Sequence, residues 1–351
     1  MKDIRLGSQI IGEGKPAYII AEMSGNHAGD FSKAVEIIKA AKECGANAVK
    51  LQTYTPDTIT LNSNKKDFQI PSTNPWKEFN TLYAVYEKGY TPWEWHAELF
   101  KIAKEIGIDI FSTPFDGTAV DLLESLNVPF YKIASPEITH IPLIKKIAKI
   151  GKPVIFSTGV GEISDIELAV QTLKQNGCNE IIILKCTSSY PAPPESMNLR
   201  TIPNLAQTFD CLSGLSDHSL GIGIPVAAVT LGASVIEKHF ILEKDNNSVD
   251  GFFSLDRKEF TDMVTEIRKA EKSLGRVSYE IDEEGKKNYW GRRSIYVCAK
   301  IKAGDIITEK NIQCVRPHFG LHPKHYEEVL GKKVNCDLDY GDPLSFDVIE
   351  K

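Results

Sequence analysis

Three features are missing from the sequence, and each absence narrows the class of protein. No apolar run approaches the ~20 residues of a membrane-spanning helix, and residues 1–5 contain no apolar signal core. The seven cysteines include no Cys-x-x-Cys pair, and there is no basic tract, since 41 Lys and Arg against 47 Asp and Glu give a net charge of −6. We therefore expect a reduced, cytoplasmic protein that binds neither nucleic acid nor an anionic membrane.

The length and composition are typical of a soluble globular enzyme. The chain has 351 residues, of which 42% are hydrophobic and 25% are charged. A barrel of parallel strands and outer helices takes roughly 250 residues, so the chain is long enough for one such barrel and one small additional domain.

Short apolar runs recur along the chain and alternate with helical patterns. Eight runs are predicted to be strands: residues 17–21, 48–53, 108–113, 130–135, 154–158 and 181–187, and the two runs that lead to His218 and His239. Residues 221–232, between the last two runs, are long enough for one helix. Alternation of this kind predicts a parallel sheet with helices outside it, and eight units predict a (β/α)8 barrel of the α/β class.

The predicted strands share one property, which is a polar residue at the carboxyl end. These residues are Glu22, Gln52, Thr113, Ser135, Ser157, Thr187, His218 and His239. In a parallel barrel the carboxyl ends meet at one mouth, where barrel enzymes hold their active sites. Entry into loops would explain several of these residues, but the regularity favours a functional site.

Two histidines, His218 and His239, end consecutive predicted strands. Both can therefore reach a single ion at the mouth, and we predict that they bind a divalent metal. Their spacing also fits the simpler alternative of two hydrogen-bonded surface histidines.

Two lysines, Lys50 and Lys132, lie inside strand patterns, where an unpaired ammonium group is unfavourable. We expect them to face an anion. The hydroxyl groups nearby in the pattern belong to Ser135, Ser157, Ser188 and Ser216. Together these side chains predict a pocket for a phosphate and a carboxylate. Glu137 follows in a turn at the same mouth, where it is either a solvated loop residue or a general base.

Residues 54–91 interrupt the rhythm of strands and helices with a long polar segment. It carries the aromatic residues Trp76, Phe79, Tyr83 and Tyr86. A loop of this length in a compact domain is usually a functional lid or a disordered insertion, and the aromatic residues favour a lid.

The character of the chain changes after residue 281. Residues 282–293 are charged and polar and are predicted to be a linker, and residues 294–351 are predicted to form a small β-rich domain with strands at 294–299, 305–308 and 334–337. The predicted organisation is therefore a barrel over residues 1–281, a linker, and a second domain that is small enough to need support from a neighbour.

Several motifs, in order along the chain, resemble those of the sialic acid synthase family. They are Ile20-Ala21-Glu22 with Asn26-His27, Lys50-Leu51-Gln52-Thr53, Ser112-Thr113-Pro114-Phe115, Tyr131-Lys132-Ile133-Ala134-Ser135, Ser157-Thr158-Gly159, Gly214-Leu215-Ser216-Asp217-His218 and Glu237-Lys238-His239-Phe240. Lys302-Ala303-Gly304-Asp305 and Val315-Arg316-Pro317 resemble its antifreeze-like (SAF) domain. The resemblance covers essentially the whole chain. Residues 61–63, 91–96 and 315–324 are most similar to the pseudaminic acid synthase branch of the family.

The resemblance implies a condensation of phosphoenolpyruvate with an N-acetylated amino sugar, here a 2,4-diacetamido-2,4,6-trideoxy altropyranose. It implies that His218 and His239 hold a divalent metal, usually Mn²⁺, with Mg²⁺ or Co²⁺ as alternatives. The family's phosphoenolpyruvate contacts match Lys50, Thr113, Lys132, Ser135, Ser157 and Ser216, and its sugar contacts match Glu22, Gln52, Tyr190, Asp250 and Arg316. Ser188 departs from the family pattern, which has an asparagine there. The resemblance also implies a domain-swapped homodimer in which Arg316 reaches the partner's barrel.

Three alternatives remain open from the sequence. One is a barrel aldolase that forms a Schiff base on Lys132 or Lys185, although two histidines have no role in that chemistry. Another is a non-catalytic sugar-binding module built on the C-terminal domain. The third keeps the chemistry but changes the sugar, as in the N-acetylneuraminic acid and legionaminic acid synthases, which use N-acetylmannosamine or its diacetamido 6-deoxy analogue.

Overall fold

A computed structural model describes residues 3–244 and 248–350. The chain divides into two compact units, Met1–Gly275 and Arg276–Lys351, which are described separately. The predicted linker at 282–293 lies within the second unit, where residues Glu283–Lys287 form a short helix.

The first unit is built on a parallel sheet that contains eight strands among the described residues. The strands are β1 (Tyr18–Glu22), β2 (Ala48–Thr53), β3 (Asp109–Pro114), β4 (Tyr131–Ile133), β5 (Val154–Ser157), β6 (Ile181–Cys186), β7 (Leu212–Asp217) and β8 (Val235–His239). Their order is β3-β2-β1-β8-β7-β6-β5-β4, and β3 and β4 pack side by side, although no hydrogen-bonded ladder joins them in the described chain. The predicted (β/α)8 barrel is confirmed.

A helix follows each strand and covers the outside of the sheet. The helices are α1 (Phe31–Glu43), α2 (Trp93–Ile106), α3 (Gly117–Ser125), α4 (Ile141–Ala148), α5 (Ile163–Gln175), α6 (Thr201–Phe209), α7 (Gly223–Thr230) and α8 (Arg257–Leu274). Side-chain caps fix several starts: Asp30 accepts from the backbone N–H groups of Ser32 and Lys33, and Asp256 forms a capping box with Glu259. No helix in the described ranges is both long enough and apolar enough to cross a bilayer.

The amino end of the barrel is closed by a hairpin formed by Ile4–Leu6 and Gln9–Ile11. Leu6 and Ile11 join the apolar interior of the barrel. Asp109, at the start of β3, accepts hydrogen bonds from the Tyr18 hydroxyl (2.6 Å) and from the backbone N–H of Ser8 (2.8 Å). Because this end is plugged, the open mouth lies at the carboxyl ends of the strands.

The lid, defined as residues 54–91, leaves the mouth after β2 and returns at α2. It contains the helices Pro56–Ile59 and Leu82–Gly89 and the 3-10 turns Lys66–Phe68 and Lys77–Phe79. It therefore has more regular structure than the loop predicted from its composition. Within residues 55–90, all of which the structure describes, only Pro56 and Gly89 are buried.

The second unit is small and β-rich, as predicted. Strands β9 (Ser294–Val297) and β10 (Ile312–Val315) pair antiparallel, and Tyr326–Val329 forms a short helix. Further 3-10 turns are Tyr289–Gly291, Pro323–His325 and Phe346–Val348. The strands predicted at 305–308 and 334–337 are wrong in detail, because these segments contribute only isolated bridges in the described part of the unit. Each of these segments pairs with its neighbour at single residues and does not continue into a ladder.

Candidate active site

A cavity of about 360 Å³ opens at the carboxyl ends of the strands. Twelve of the fifteen predicted site residues line it: Glu22, Lys50, Gln52, Lys132, Ser135, Glu137, Ser157, Tyr190, Ser216, His218, His239 and Asp250. Thr113 and Ser188 lie outside this lining, and Arg316 belongs to the second unit, where it is exposed next to β10. The barrel therefore brings together residues that are up to 228 positions apart between Glu22 and Asp250.

The floor of the cavity is a buried cluster of charges centred on Glu237. Its Oε1 lies 2.9 Å from the Lys50 Nζ and 3.6 Å from the Lys132 Nζ. The Ser216 hydroxyl donates to the same oxygen at 3.0 Å, and Lys50 also lies 3.2 Å from Glu22. Lys50 and Lys132 therefore face an anion, as the sequence predicts, but that anion is a carboxylate of the barrel itself.

Glu237 is the main residue that sequence reasoning missed. The available signal was a charged residue inside the buried run Val235–His239. Its neighbour Lys238 points to the other face of the sheet and forms a second buried ion pair with Asp217, with 2.6 Å between Nζ and Oδ2. Strand β8 therefore carries opposite charges on its two faces, and each is matched by a partner.

Burial and pairing shift the pKa values of this cluster. Burial opposes ionisation of Glu237, but Lys132 and Lys50 together outweigh it and hold its pKa below the ordinary range. Burial lowers the pKa of Lys132 to about 8, against the opposing effect of Glu237. Burial also raises the pKa of Glu22, while Lys50 opposes the rise. An anionic substrate would compete with Glu237 for the same ammonium groups.

The predicted serine contacts surround the lysines. Lys132 donates to the Ser157 hydroxyl at 2.6 Å, and the backbone N–H of Gly159 donates to the Ser135 hydroxyl at 2.9 Å. A Cβ on Gly159 would stand 2.2 Å from the Ser188 Oγ and 2.9 Å from the Cys186 Sγ, so a side chain here would displace both groups. The hydroxyl oxygens of Ser188 and Thr113 are buried and have no hydrogen-bond partner among the described residues.

The two predicted metal ligands face each other across the cavity. The ring centroids of His218 and His239 are 5.4 Å apart. His218 Nδ1 lies 3.0 Å from the carbonyl oxygen of Thr187, to which it donates, so Nε2 has a free lone pair whenever the ring is neutral. Burial, together with the charges of His218 and Lys50, holds the pKa of His239 well below the ordinary range.

The two histidines could supply two ligands to a metal ion. His239 Nδ1 is buried and has no hydrogen-bond partner in the described chain, and Asp250 Oδ2 lies 3.8 Å from it. Within residues 3–244 and 248–350, no group of three or more His, Cys, Asp or Glu side chains is arranged to enclose an ion. A bound ion would keep open positions for substrate or water, as in catalytic rather than structural sites.

Glu137 lies in the 3-10 turn Ser135–Thr139 at the edge of the cavity. Its Oε2 is buried and has no hydrogen-bond partner in the residues described. Burial raises its pKa to about 7. A carboxyl group with this pKa exists in both protonation states near neutral pH, which suits a general base or acid.

The remaining predicted contacts line the wall towards the lid. Gln52 donates to Glu22 (2.9 Å) and to Ser24 (3.0 Å), and Ser24 donates to Asp250 (2.5 Å). Tyr190 stacks on the His218 ring, with 4.5 Å between ring centroids. These side chains form one connected polar network beside the histidines.

The lid supplies the opposite wall, which is largely apolar. Its lining side chains are Tyr54, Ile59, Ile70, Pro71, Asn74, Trp76, Leu82, Val85 and Tyr86. Trp76 also packs on Tyr190 and donates from its indole N–H to the carbonyl oxygen of Val249 at 2.7 Å. Trp95 does not line the cavity; it packs against His27 and Phe31.

The residues of the aldolase alternative differ in position. Lys132 is in the cavity, whereas Lys185 lies at the groove between α5 and α6 and donates to the carbonyl oxygen of Cys186 at 2.6 Å. Of the two lysines, Lys132 is the one that a substrate in the cavity could reach. Its ammonium group already donates to the Ser157 hydroxyl and lies beside the Glu237 carboxylate.

Comparison with known proteins now decides the family. Residues 37–279 match the NeuB family, and residues 292–350 match the SAF domain. The chain belongs to the NeuB family.

Members of the NeuB family with high similarity include two pseudaminic acid synthases. The protein from Campylobacter jejuni is 46% identical over 94% of this chain and 96% of its own length, and that from Helicobacter pylori is 44% identical over 96% and 99%. A crystal structure of N-acetylneuraminic acid synthetase from Leptospira borgpetersenii is 32% identical, with a TM-score of 0.71 over 82% of this chain and 95% of the other. Two N,N'-diacetyllegionaminic acid synthases, from Campylobacter jejuni and Legionella pneumophila, are less similar, at 38% and 35% identity.

The buried position of Glu237 leads to a prediction for this NeuB-family barrel. Glu237→Gln leaves two ammonium groups buried without their shared carboxylate, so we expect the free energy of unfolding to fall by about 3–5 kcal/mol. Urea unfolding followed by circular dichroism measures this loss. Glu98→Gln, which removes an exposed partner of Lys101, is the matched control and should change stability by less than about 1 kcal/mol. Equal effects of the two changes would contradict the assigned role of Glu237.

The raised pKa of Glu137 predicts how stability depends on pH. Its folded pKa of about 7 lies above the ordinary value of 4.5, so its contribution to stability is complete below about pH 4 and is lost as the pH rises through 7. Glu137→Gln cannot ionise. We expect the variant to gain stability relative to the wild type between pH 4 and pH 8, by up to about 3 kcal/mol. A pH-independent difference would show that Glu137 ionises normally.

Proposed function

We propose that the chain is a pseudaminic acid synthase. It condenses phosphoenolpyruvate with 2,4-diacetamido-2,4,6-trideoxy-β-L-altropyranose to give a nine-carbon 2-keto acid and inorganic phosphate. The observation that carries this proposal is the 46% identity to a pseudaminic acid synthase over nearly the whole of both chains. The cavity adds independent support, because cationic groups, two histidines and a carboxyl group with a raised pKa all line it.

The proposed reaction forms one carbon–carbon bond and breaks one carbon–oxygen bond. C3 of phosphoenolpyruvate attacks the aldehyde carbon of the open-chain sugar, whose oxygen takes up a proton. Water adds to C2 and gives up a proton, for which Glu137 is the proposed acceptor because burial raises its pKa to about 7. The bond between C2 and the phosphate oxygen then breaks, the C2 hydroxyl passes its proton to the departing phosphate, and C2 becomes the ketone.

Phosphoenolpyruvate is proposed to bind at the charged floor of the cavity. Lys50 and Lys132 would hold its phosphate and carboxylate, with the hydroxyl groups of Ser135, Ser157 and Ser216 beside them. The unpartnered hydroxyls of Thr113 and Ser188 lie outside the cavity lining and are proposed as further contacts. These groups position the substrate and stabilise its negative charge, which is the main contribution that fixed dipoles and cations make to such reactions.

A divalent metal is proposed to bind between His218 and His239, with Mn²⁺ preferred and Mg²⁺ or Co²⁺ as alternatives. The unpartnered Nδ1 of His239 and its low pKa support this assignment, since a neutral imidazole is the form that binds metals. When bound, such an ion supplies Lewis-acid polarisation of a carbonyl oxygen.

The sugar is proposed to lie between the polar network and the lid. Glu22, Gln52, Tyr190 and Asp250 would bind its polar groups, and the apolar lid wall would face its methyl groups. We further propose that the protein is a domain-swapped homodimer in which Arg316 serves the partner's site. The small size of the second unit supports docking on a barrel. Seven free cysteines support a cytoplasmic location.

The choice of sugar tests the proposed function directly. With phosphoenolpyruvate saturating, phosphate release is measured for the diacetamido-trideoxy altrose, its legionaminic acid counterpart and N-acetylmannosamine. We expect kcat/KM for the altrose to exceed that for N-acetylmannosamine by at least about a hundredfold, because the second acetamido contact is unmet in the latter. His218→Ala protein, prepared in parallel, controls for contaminating activity. Preference for either of the other sugars would assign the chain to the corresponding branch.

Metal removal tests the proposed ion. Dialysis against a chelator should abolish turnover, and added Mn²⁺ should restore it. His218→Ala and His239→Ala should each lower kcat by orders of magnitude and should bind less metal by elemental analysis. Full activity after exhaustive chelation, in protein that contains no metal, would exclude the assignment.

A further inference from the structure

The two ends of the lid are fastened to two buried histidines. Thr91, the last residue of the lid, contacts His27, with 3.1 Å between Oγ1 and Nε2. Thr53, the residue before the lid, contacts His96, with 2.8 Å between Oγ1 and Nε2. All four residues are 0% exposed. Neither histidine lines the cavity among the described residues, so neither contact belongs to the site already described.

The first contact fixes one tautomer of His27. The backbone N–H of Gly29 donates to Nδ1 at 3.1 Å, so Nδ1 is an acceptor without a proton. Nε2 therefore carries the proton and donates it to the Thr91 hydroxyl. Replacing that hydroxyl by a methyl group would leave a buried N–H without a partner, which is unfavourable.

The second contact fixes the opposite tautomer of His96. Its Nδ1 lies 3.2 Å from the carbonyl oxygen of Pro92, which can only accept, so Nδ1 carries the proton. Nε2 then accepts from the Thr53 hydroxyl, and Thr53 in turn accepts from the Ser112 hydroxyl at 2.6 Å. This hydrogen-bonded chain ties the start of the lid to both α2 and β3.

Both arrangements require neutral rings. Burial lowers the pKa of His27 to about 4, with Lys33 and His96 adding to the shift. Burial likewise lowers the pKa of His96 to about 4, although its bonds to the backbone oppose the shift. The two contacts therefore keep their donors and acceptors unchanged across the neutral pH range.

The body of the lid is held much less firmly than its ends. Between residues 55 and 90 almost every described side chain is at least partly exposed. Its side chains nevertheless form the apolar wall of the cavity, including Ile70, Leu82 and Val85. Segments with few buried contacts open locally at low free energy, so the position of this wall depends strongly on where its ends are fixed.

We propose that His27 and His96 are positioning residues that hold the lid in place as the acceptor-binding wall. They act through Thr91 and Thr53 and touch neither substrate. The groups proposed to bind phosphoenolpyruvate stand on the barrel strands or in the turns directly after them, and none of them belongs to the lid. Loosening the lid should therefore weaken sugar binding selectively. This inference rests on the proposed function, because the proposed function places the sugar against the lid.

The experiment removes each hydroxyl with little change of shape. Thr91→Val and Thr53→Val delete the hydrogen bonds, and Thr91→Ser keeps the hydroxyl as the conservative rescue. Thr172→Val is the matched control, since Thr172 is also a buried threonine (5% exposed) but lies on α5. Two quantities are measured for the full-length protein: KM for each substrate, and the rate of tryptic cleavage at the exposed lysines Lys65, Lys66 and Lys77 in the lid.

We expect Thr91→Val and Thr53→Val to be cleaved in the lid roughly 5- to 100-fold faster than the wild type. KM for the sugar should rise by a similar factor in both variants. KM for phosphoenolpyruvate should change by less than about twofold, and Thr91→Ser and Thr172→Val should behave as the wild type. Unchanged cleavage, or equal rises in both KM values, would overturn the proposal. If the wild type does not use the altrose, the proposed function fails, while the cleavage rates still decide whether the histidines anchor the lid.

Discussion

A single buried carboxylate, that of Glu237, determines how the interior of this barrel can accommodate two lysines. An ammonium group in a closed apolar barrel is strongly unfavourable unless an acid lies beside it, and Lys50 and Lys132 approach from two different strands. Glu237 reaches both because all three side chains point into the barrel interior, where its Oε1 lies 2.9 Å from the Lys50 Nζ and 3.6 Å from the Lys132 Nζ. The positive groups that an anionic substrate needs are therefore already organised and partly neutralised before it binds.

The two walls of the cavity have different physical origins. One is built from strand ends, whose positions are fixed by the hydrogen-bonded sheet, and from the short turns after them; it carries the charges, the histidines and Glu137. The other is built from the lid, which has little buried surface of its own. A rigid polar wall suits chemistry that depends on accurate placement of charge, whereas a loosely held apolar wall can adapt to a sugar and its acetyl groups.

Much of the barrel and its mouth could be predicted from the sequence, because strand periodicity and the polar residues at strand ends are local signals. Lys50 and His239 are examples, since each is recognisable within its own strand. The partnership of Glu237 with two lysines could not be predicted in the same way, because it depends on which face of β8 each residue occupies. The strands predicted at 305–308 and 334–337 are only isolated bridges in the structure. The helices of the lid are not predicted, because the polar composition of residues 54–91 hides their periodicity.

The alternation of charge along β8 has a consequence for how the strands align. In the observed register Glu237 pairs with Ser216 and Lys238 pairs with Asp217. A slip of β8 by one residue would turn Lys238 towards the interior beside Lys50, and would turn Glu237 outwards towards Asp217. Both results place like charges together away from water. Because both faces of β8 are buried, apolar side chains alone discriminate poorly between these alignments, and electrostatic mismatch excludes the wrong one.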